Sequence, residues 1–343
     1  MSNLPPPESD LWLPLPSKEE TWHPHTVHTH YFGFSVPEAA IGAFVYFRYQ
    51  PAFPLCAGGV GLFQGLDNEK PLDIEHLNFM NTMPWSSFKD NILTTYLGLR
   101  MEVLKPGEEF RLSYKSKDGK TQFDVIQTAV TPLLPRGHVM PGEDRDAEAD
   151  KKPGGSEQFM HCIGKLTLNG TDYDVDCYPV RDRSWRQIRT EEEVDYPPVG
   201  WSPMCFDGNF SFCQIGYEAP ETNPRWKDVF TVDQKKPSFY FAWMVNDNGS
   251  IRNIVKIKRK VTKFHPKLFA AIEQEIEAED SEGKVYRYWG EAIAMAHLPS
   301  WANNIFVDAV YRWKDEAGRL AYCAYQEAWY AKFQRFSRGK PVN

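Results

Sequence analysis

From Tyr31 onward the chain reads as short apolar runs punctuated by Gly, Pro and Asp, and most runs alternate apolar with polar. A period of two marks a strand with one buried face. Over residues 94–103, Thr95, Leu97, Leu99, Met101 and Val103 share one side and Arg100 and Glu102 the other, which predicts a half-buried strand. Residues 109–116 and 121–129 alternate likewise around Lys117-Asp118-Gly119-Lys120, a hairpin signal. Asn169-Gly170, between 158–168 and 171–178, is a stronger one, because both residues accept the positive φ of a tight turn. The pairs 238–246 with 251–261 and 305–313 with 319–330 flank further turn-like stretches. Residues 266–279 fit a helical stripe through Leu268, Ala271, Ile272, Glu275 and Ile276, and equally a strand through Ile272, Gln274, Ile276 and Ala278. The turn at 280–283 and the strand-like VYRYWG after it favour a hairpin arm.

Many strands, tight turns and almost no clear helix predict an all-β chain of antiparallel barrels or sandwiches. A length of 343 residues suits two domains of about 150 each. The most polar, Pro/Gly-rich stretch, 141–156, is the expected boundary. The expected division is an irregular lead-in over 1–30, a first β domain over 31–142, a linker over 143–156 and a second β domain over 157–343.

Composition narrows the partners. Net charge is −7, and the one dense cationic run, residues 256–260, alternates with Ile254, Ile257 and Val261 as the solvated side of a strand would. Nucleic acid is therefore not an expected partner. No window approaches the ~18 apolar residues of a membrane helix, and residues 1–30 have neither the basic start nor the apolar run of a secretory signal. The six cysteines are scattered without a C-x-x-C pair and read as reduced, mostly buried thiols, so the expected location is the cytoplasm. Aromatic residues reach 14%, a share that fits cores and also suits a cavity for a hydrophobic small molecule.

No phosphate-binding loop is present, since Gly58-Gly59-Val60-Gly61 lies inside an apolar strand pattern, and no G-x-S-x-G occurs. His23, His25, His28 and His30 could pair as i, i+2 metal ligands. The cluster contains no acid and has no zinc spacing to a cysteine, so solvated histidines ahead of the first strand are expected. Neither cofactor nor metal is predicted.

Chemistry concentrates in residues 176–189, DCYPVRDRSWRQIR, where Asp182 stands between Arg181 and Arg183. Adjacent cations lower a carboxylate's pKa and make a structural ion pair, whereas an aromatic pocket raises it and makes a general acid. His161 alternates with Phe159 and Ile163 and could point into a barrel or be a core residue. Glu291 and Glu327 are acids embedded in apolar strands, each either solvated or a costly buried charge.

Residues 157–189 resemble the second-domain signature of the tandem lipocalin-like proteins grouped with carotenoid 1,2-hydratase (hydroxyneurosporene synthase) and the AttH proteins. Glu157, Gln158, Asn169, Gly170, Arg181, Asp182, Ser184 and Trp185 match its acid-Gln pair, its hairpin and its Arg-Asp-His-Ser-Trp-Gly run. HYFGFSVPEAAIGAFVYFR resembles that family's opening strands. Arg183 stands where relatives often carry His, and Arg186 where they often carry Gly. The resemblance implies two lipocalin-like barrels with a ligand at or between them. It also implies hydration, dehydration, isomerisation or cyclisation of terpenoid, polyene or polyketide-like substrates without a redox cofactor, and the substrate expected here is a terpenoid, steroid or polyketide-derived molecule. In that frame Asp182 is the preferred acid, aided by Arg181, Tyr178 and His161, with Glu291 and Glu327 in reserve and Trp185, Trp201 and Tyr325 as pocket walls. A non-catalytic carrier of such molecules is the alternative.

Overall fold

A computed structural model describes residues 7–11, 22–135, 154–189, 195–219, 222, 228–230, 232, 236–299 and 304–342. The chain forms two compact units, one of Met1–Phe63 with Ile74–Thr190 and one of Gln64–Asp73 with Glu191–Asn343.

The first unit is built from β1 (Thr26–Val36), β2 (Ile41–Gln50), β3 (Leu55–Gln64), β4 (His76–Met83), β5 (Ser87–Lys89), β6 (Ile92–Thr94) and β7 (Arg100–Lys105). It continues with β8 (Glu109–Lys115), β9 (Gln122–Ala129), β10 (Leu134–Pro135), β11 (Gly154–Leu168), β12 (Thr171–Cys177) and β13 (Val180–Ile188). These make one antiparallel sheet in the order β4-β3-β2-β1-β13-β11-β9-β8-β7-β6-β5, with β10 and β12 also on β11. Side chains from one face of the sheet, among them Phe32, Val45, Leu62, Leu112, Val125 and Met160, gather in a single core. The sheet therefore curls around them, bringing Phe32 of β1 within 6.0 Å of Phe110 of β8. β4 and β5 end the path unpaired with each other, so the curl stays open.

The second unit contains β14 (Val199–Trp201), β15 (Met204–Phe206), β16 (Phe210–Tyr217), β17 (Phe239–Val245), β18 (Ile251–Phe264), β19 (Ala271–Asp280), β20 (Val285–Leu298), β21 (Asn304–Asp315), β22 (Leu320–Tyr330) and α1 (Ala331–Ser337). β14 pairs with both β22 and β16, which closes an antiparallel barrel. The antiparallel all-β architecture is the one the alternation predicted, and two lipocalin-like units are what the family resemblance implied.

Local differences have local causes. Residues 95–99 form a turn joining β6 to β7 instead of one long strand, with Gly98 at φ +83° and its N–H on Thr95 O. Residues 271–280 are a strand, as the hairpin reading required. The first strand starts at Thr26 inside the expected lead-in, and Pro7–Leu11 form a 3-10 turn.

The units divide differently from the expected 31–142 and 157–343. β11 pairs with β9 and β13 with β1, so residues 154–188 complete the first sheet. Strand pairing follows buried faces and ladder hydrogen bonds, and the polarity of intervening chain does not decide it. The expected linker leaves and re-enters one sheet, since Leu134 and Pro135 pair with Glu157 and Ser156; its residues 143–153 lie outside the described ones. All six cysteines are buried and unbridged. Among the described residues no helix is long and apolar enough to cross a membrane.

Candidate functional site

Strand alternation turns His28, His30, Phe32 and Phe34 of β1 to the inner face of the curled sheet. The register then sets their neighbours: Tyr49 opposite His28, Phe47 and Arg183 opposite His30, and Arg181 opposite Phe32. Gln158 lies opposite Arg181 on β11. One end of an otherwise apolar inner face is thus polar.

Half of that polar end is fully bonded. Asp10, from the 3-10 turn, is buried and accepts from Arg181 Nη1 at 2.8 Å, Arg181 Nη2 at 3.0 Å and Gly107 N at 2.8 Å. Arg181 Nε donates to Gln158 Oε1 at 2.8 Å, and Gln158 Nε2 donates to the carbonyls of Gly107 and Thr131. The guanidinium lies 4.2 Å over the Phe110 ring. A bidentate pair with its remaining groups satisfied is a clamp.

The other half is less complete. His30 is buried among the rings of Phe47 at 5.8 Å, Tyr49 at 6.1 Å and Phe32 at 6.4 Å, and makes no hydrogen bond among the described residues. Burial, then Arg183 and Arg181, hold its pKa far below the usual imidazole value. Burial, Arg186 and Arg183 lower His28 to about 3. Both rings are therefore neutral at pH 7. Arg183 is itself pulled down to about 10, by burial and by Arg181, against Asp10 3.9 Å away. Burial raises the Tyr49 phenol above its ordinary range. Trp85 packs 5.1 Å from Tyr49, and Trp22 sits 5.3 Å from His28 and 4.9 Å under the Arg186 guanidinium. Arg186 adopts φ +56°, a left-handed conformation that is costly for a residue with a Cβ, and its N–H points to His28 Nδ1 at 3.4 Å.

The residues expected to act together are dispersed. Asp182 is half-buried and faces away from Arg181 and Arg183, because neighbours on a strand point to opposite sides; it lies across from Tyr31 and Glu157. His161 also faces outward, opposite in sense to the core residues Met160 and Cys162. It bonds Asp176 at 2.7 Å and stacks on Tyr178 at 4.6 Å. Trp185 rests on Gly154, where a Cβ would come within 2.7 Å of its Nε1. Glu291 is half-buried on the barrel and paired with Arg312. Trp201 is buried on β14.

Glu327 and Tyr325 do meet, inside the closed barrel. Arg259 Nη2 donates to Glu327 Oε1 at 3.0 Å and to Tyr325 Oη, and Tyr325 Oη donates to Glu327 Oε1 at 2.9 Å. Ala271 N donates to Glu327 Oε2 at 3.0 Å, and Arg259 Nε to Gln274 Oε1 at 2.7 Å. Gly200 leaves just enough space, since a Cβ there would reach 2.6 Å from Tyr325 Oη. A buried network of this kind, in which the Arg259 and Glu327 charges are paired, ties β18, β19 and β22 together inside the barrel. Arg259 belongs to the cationic run read as solvated. Lys256, Lys258 and Lys260 are exposed as expected, while Arg259 shares the inward side of β18 with Ile257 and Val261.

Asp10 and Tyr49 carried no sequence signal. His28 and His30 did, as a same-face pair, but they are buried in β1 instead of solvated ahead of it.

The family profile described as a domain of unknown function (DUF7064) matches residues 16–331. No curated protein matches the chain. Among solved structures it is similar to a protein described as an AttH from Nitrosomonas europaea, at 12% identity and TM-score 0.56, covering 92% of this chain and 96% of that one. It is also similar to kievitone hydratase from Nectria haematococca, at 9% identity and TM-score 0.50, covering 90% of each. At these identities the likeness is one of fold.

Proposed function

The chain belongs to the DUF7064 family, and we propose that it is a cofactor-independent lyase or isomerase of an apolar small molecule held on the inner face of the first sheet. The observation carrying this reading is a buried neutral imidazole, His30, set among Phe32, Phe47 and Tyr49 with Arg183 opposite it. Aromatic walls of this sort hold a carbon skeleton, and a few fixed polar groups orient it. Terpenoid, steroid and polyketide-like molecules have the required character.

Burial, reinforced by the Arg183 and Arg181 guanidiniums, makes His30 a poor proton acceptor and leaves it a neutral donor. Tyr49, with its pKa raised, is another donor. Fixed donors in a water-poor site stabilise negative charge on a substrate oxygen when a carbon beside a carbonyl loses a proton. A bound water takes that proton and passes it to the hydroxide leaving the next carbon, so that one water departs and a dehydration is complete; the reverse is a hydration. Return of the proton to a different carbon is an isomerisation. The fold shared with kievitone hydratase makes gain or loss of water the first reaction to test.

The test is incubation with a small-molecule extract of the source organism, followed by mass spectrometry for products differing by one water. The wild type should convert an apolar component. His30→Gln should slow that conversion about 10²–10³-fold, the usual effect of losing one such donor. Asp182→Asn, on the opposite face, should leave turnover intact. Retention of a compound through purification without any conversion would make the protein a carrier and refute the enzymatic reading.

A further inference from the structure

Along the end of the inner face that carries His28 and His30, several polar atoms lack the partner that burial demands. Tyr49 Oη, Trp85 Nε1 and Trp22 Nε1 are out of contact with solvent and unbonded among the described residues. Ser86 is the polar neighbour of the Tyr49 hydroxyl, and its own Oγ donates to Cys56 Sγ at 3.8 Å. The three share one chemical property. An indole N–H can only donate, and a buried phenol that keeps its proton has that proton to give. His30 adds one further N–H as a neutral ring.

The charges nearby have the matching sign. Arg183 stands directly across from His30, and Arg186 lies over Trp22. Among the described residues the carboxylate of this cluster is Asp10, whose oxygens already serve Arg181 and Gly107. A cationic head would meet two guanidiniums, and an alkyl end would leave every donor desolvated and unpaired. What the cluster lacks is acceptors with negative charge.

We infer that the ligand of this site is an apolar molecule whose polar end is an anionic oxygen, a carboxylate or an ionised enol, received by Tyr49, Trp85, Trp22 and His30 in the field of Arg183. The inference rests on the proposed location of the site and adds the chemical class of what enters it. It also accounts for the aromatic floor, since Phe32, Phe47 and Phe110 would carry the apolar body.

The experiment compares two probes that share an apolar body and differ in the head, 2-naphthaleneacetate and 2-(2-naphthyl)ethanol, by titration calorimetry on the full chain. The acetate should bind about tenfold more tightly or better, the worth of charge-assisted bonds to buried donors. Tyr49→Phe and Trp85→Phe each remove one donor and keep the ring, and each should shrink the preference several-fold. If one fails to fold, as judged by its thermal melt, the other carries the comparison. Equal binding of both probes, abolished by the bulky His30→Trp, would overturn the anionic head and leave the site standing. Binding indifferent to His30→Trp, or no binding of either probe, would overturn the inference together with the location.

Discussion

His28 and His30 point the same way along one extended segment, and burial is the main reason neither takes a proton. Their folded pKa values lie below the ordinary 6.5, so the unfolded chain binds protons that the folded chain refuses. Stability is then complete above pH 6.5 and falls as the pH drops below it, down to about 3 for His28. The slope approaches about 1.4 kcal/mol per pH unit for each imidazole. Urea unfolding between about pH 7 and 5 should show this loss. His30→Phe, which keeps a ring and cannot be protonated, should lose stability on a shallower slope, and an unchanged slope would contradict a buried neutral His30. Neighbouring residues show what one chain can and cannot disclose about itself. Arg181 is legible as a candidate, and adjacency leaves Asp182 either its ion-pair partner or a general acid beside it, whereas alternation sends Asp182 to the other face. The actual partner, Asp10, is 171 positions away in a Pro-rich segment with no periodicity. Arg186 is more instructive, because the relatives that the sequence resembles often carry Gly there. The left-handed φ explains why Gly suits the place, and this chain bears the strain to set a guanidinium over Trp22 and an N–H on His28.

At the level of strands, hairpins were legible because their signals are local. Asn169 at φ +51° and Gly170 at φ +87° form the turn their identities require, and Gly119 does the same between β8 and β9. Closure and curl were not legible, since they depend on which distant strands meet; nothing near Val199 announces that β14 will bond both β16 and β22. The same limit hid Arg259. One inward position inside a lysine-rich run looks like surface until the barrel closes around it. Its pair with Glu327 is a strong test of the barrel. Removing either partner, by Arg259→Met or Glu327→Gln, should cost about 3–5 kcal/mol, because the other is left buried and uncompensated. The double variant should cost clearly less than the sum, measured as a double-mutant cycle in urea. Additive costs would show that the two do not depend on one another.

On the scale of the whole molecule, two β units divide the work of the chain unequally. The second closes on itself around Trp313, Trp329, Tyr311 and the Arg259–Glu327 ion pair. The first remains an open curl with a polar end in which Tyr49 Oη, Trp85 Nε1 and Trp22 Nε1 are buried and unbonded among the described residues. The functional assignment falls on the first unit because His30 lies there among aromatic rings with Arg183 opposite it. The all-β class and the presence of two units could be read from alternation and length. The boundary could not, because the polar stretch before β11 interrupts a sheet that continues on its far side. The central claim is that a small molecule sits beside His30. Its most direct test is NMR of protein carrying ¹⁵N-labelled histidine, with the His30 signals assigned through His30→Gln. On addition of 2-naphthaleneacetate the His30 ring nitrogens should shift, while those of the exposed His25 stay in place. Saturating, calorimetrically confirmed binding that leaves His30 unmoved would contradict the account.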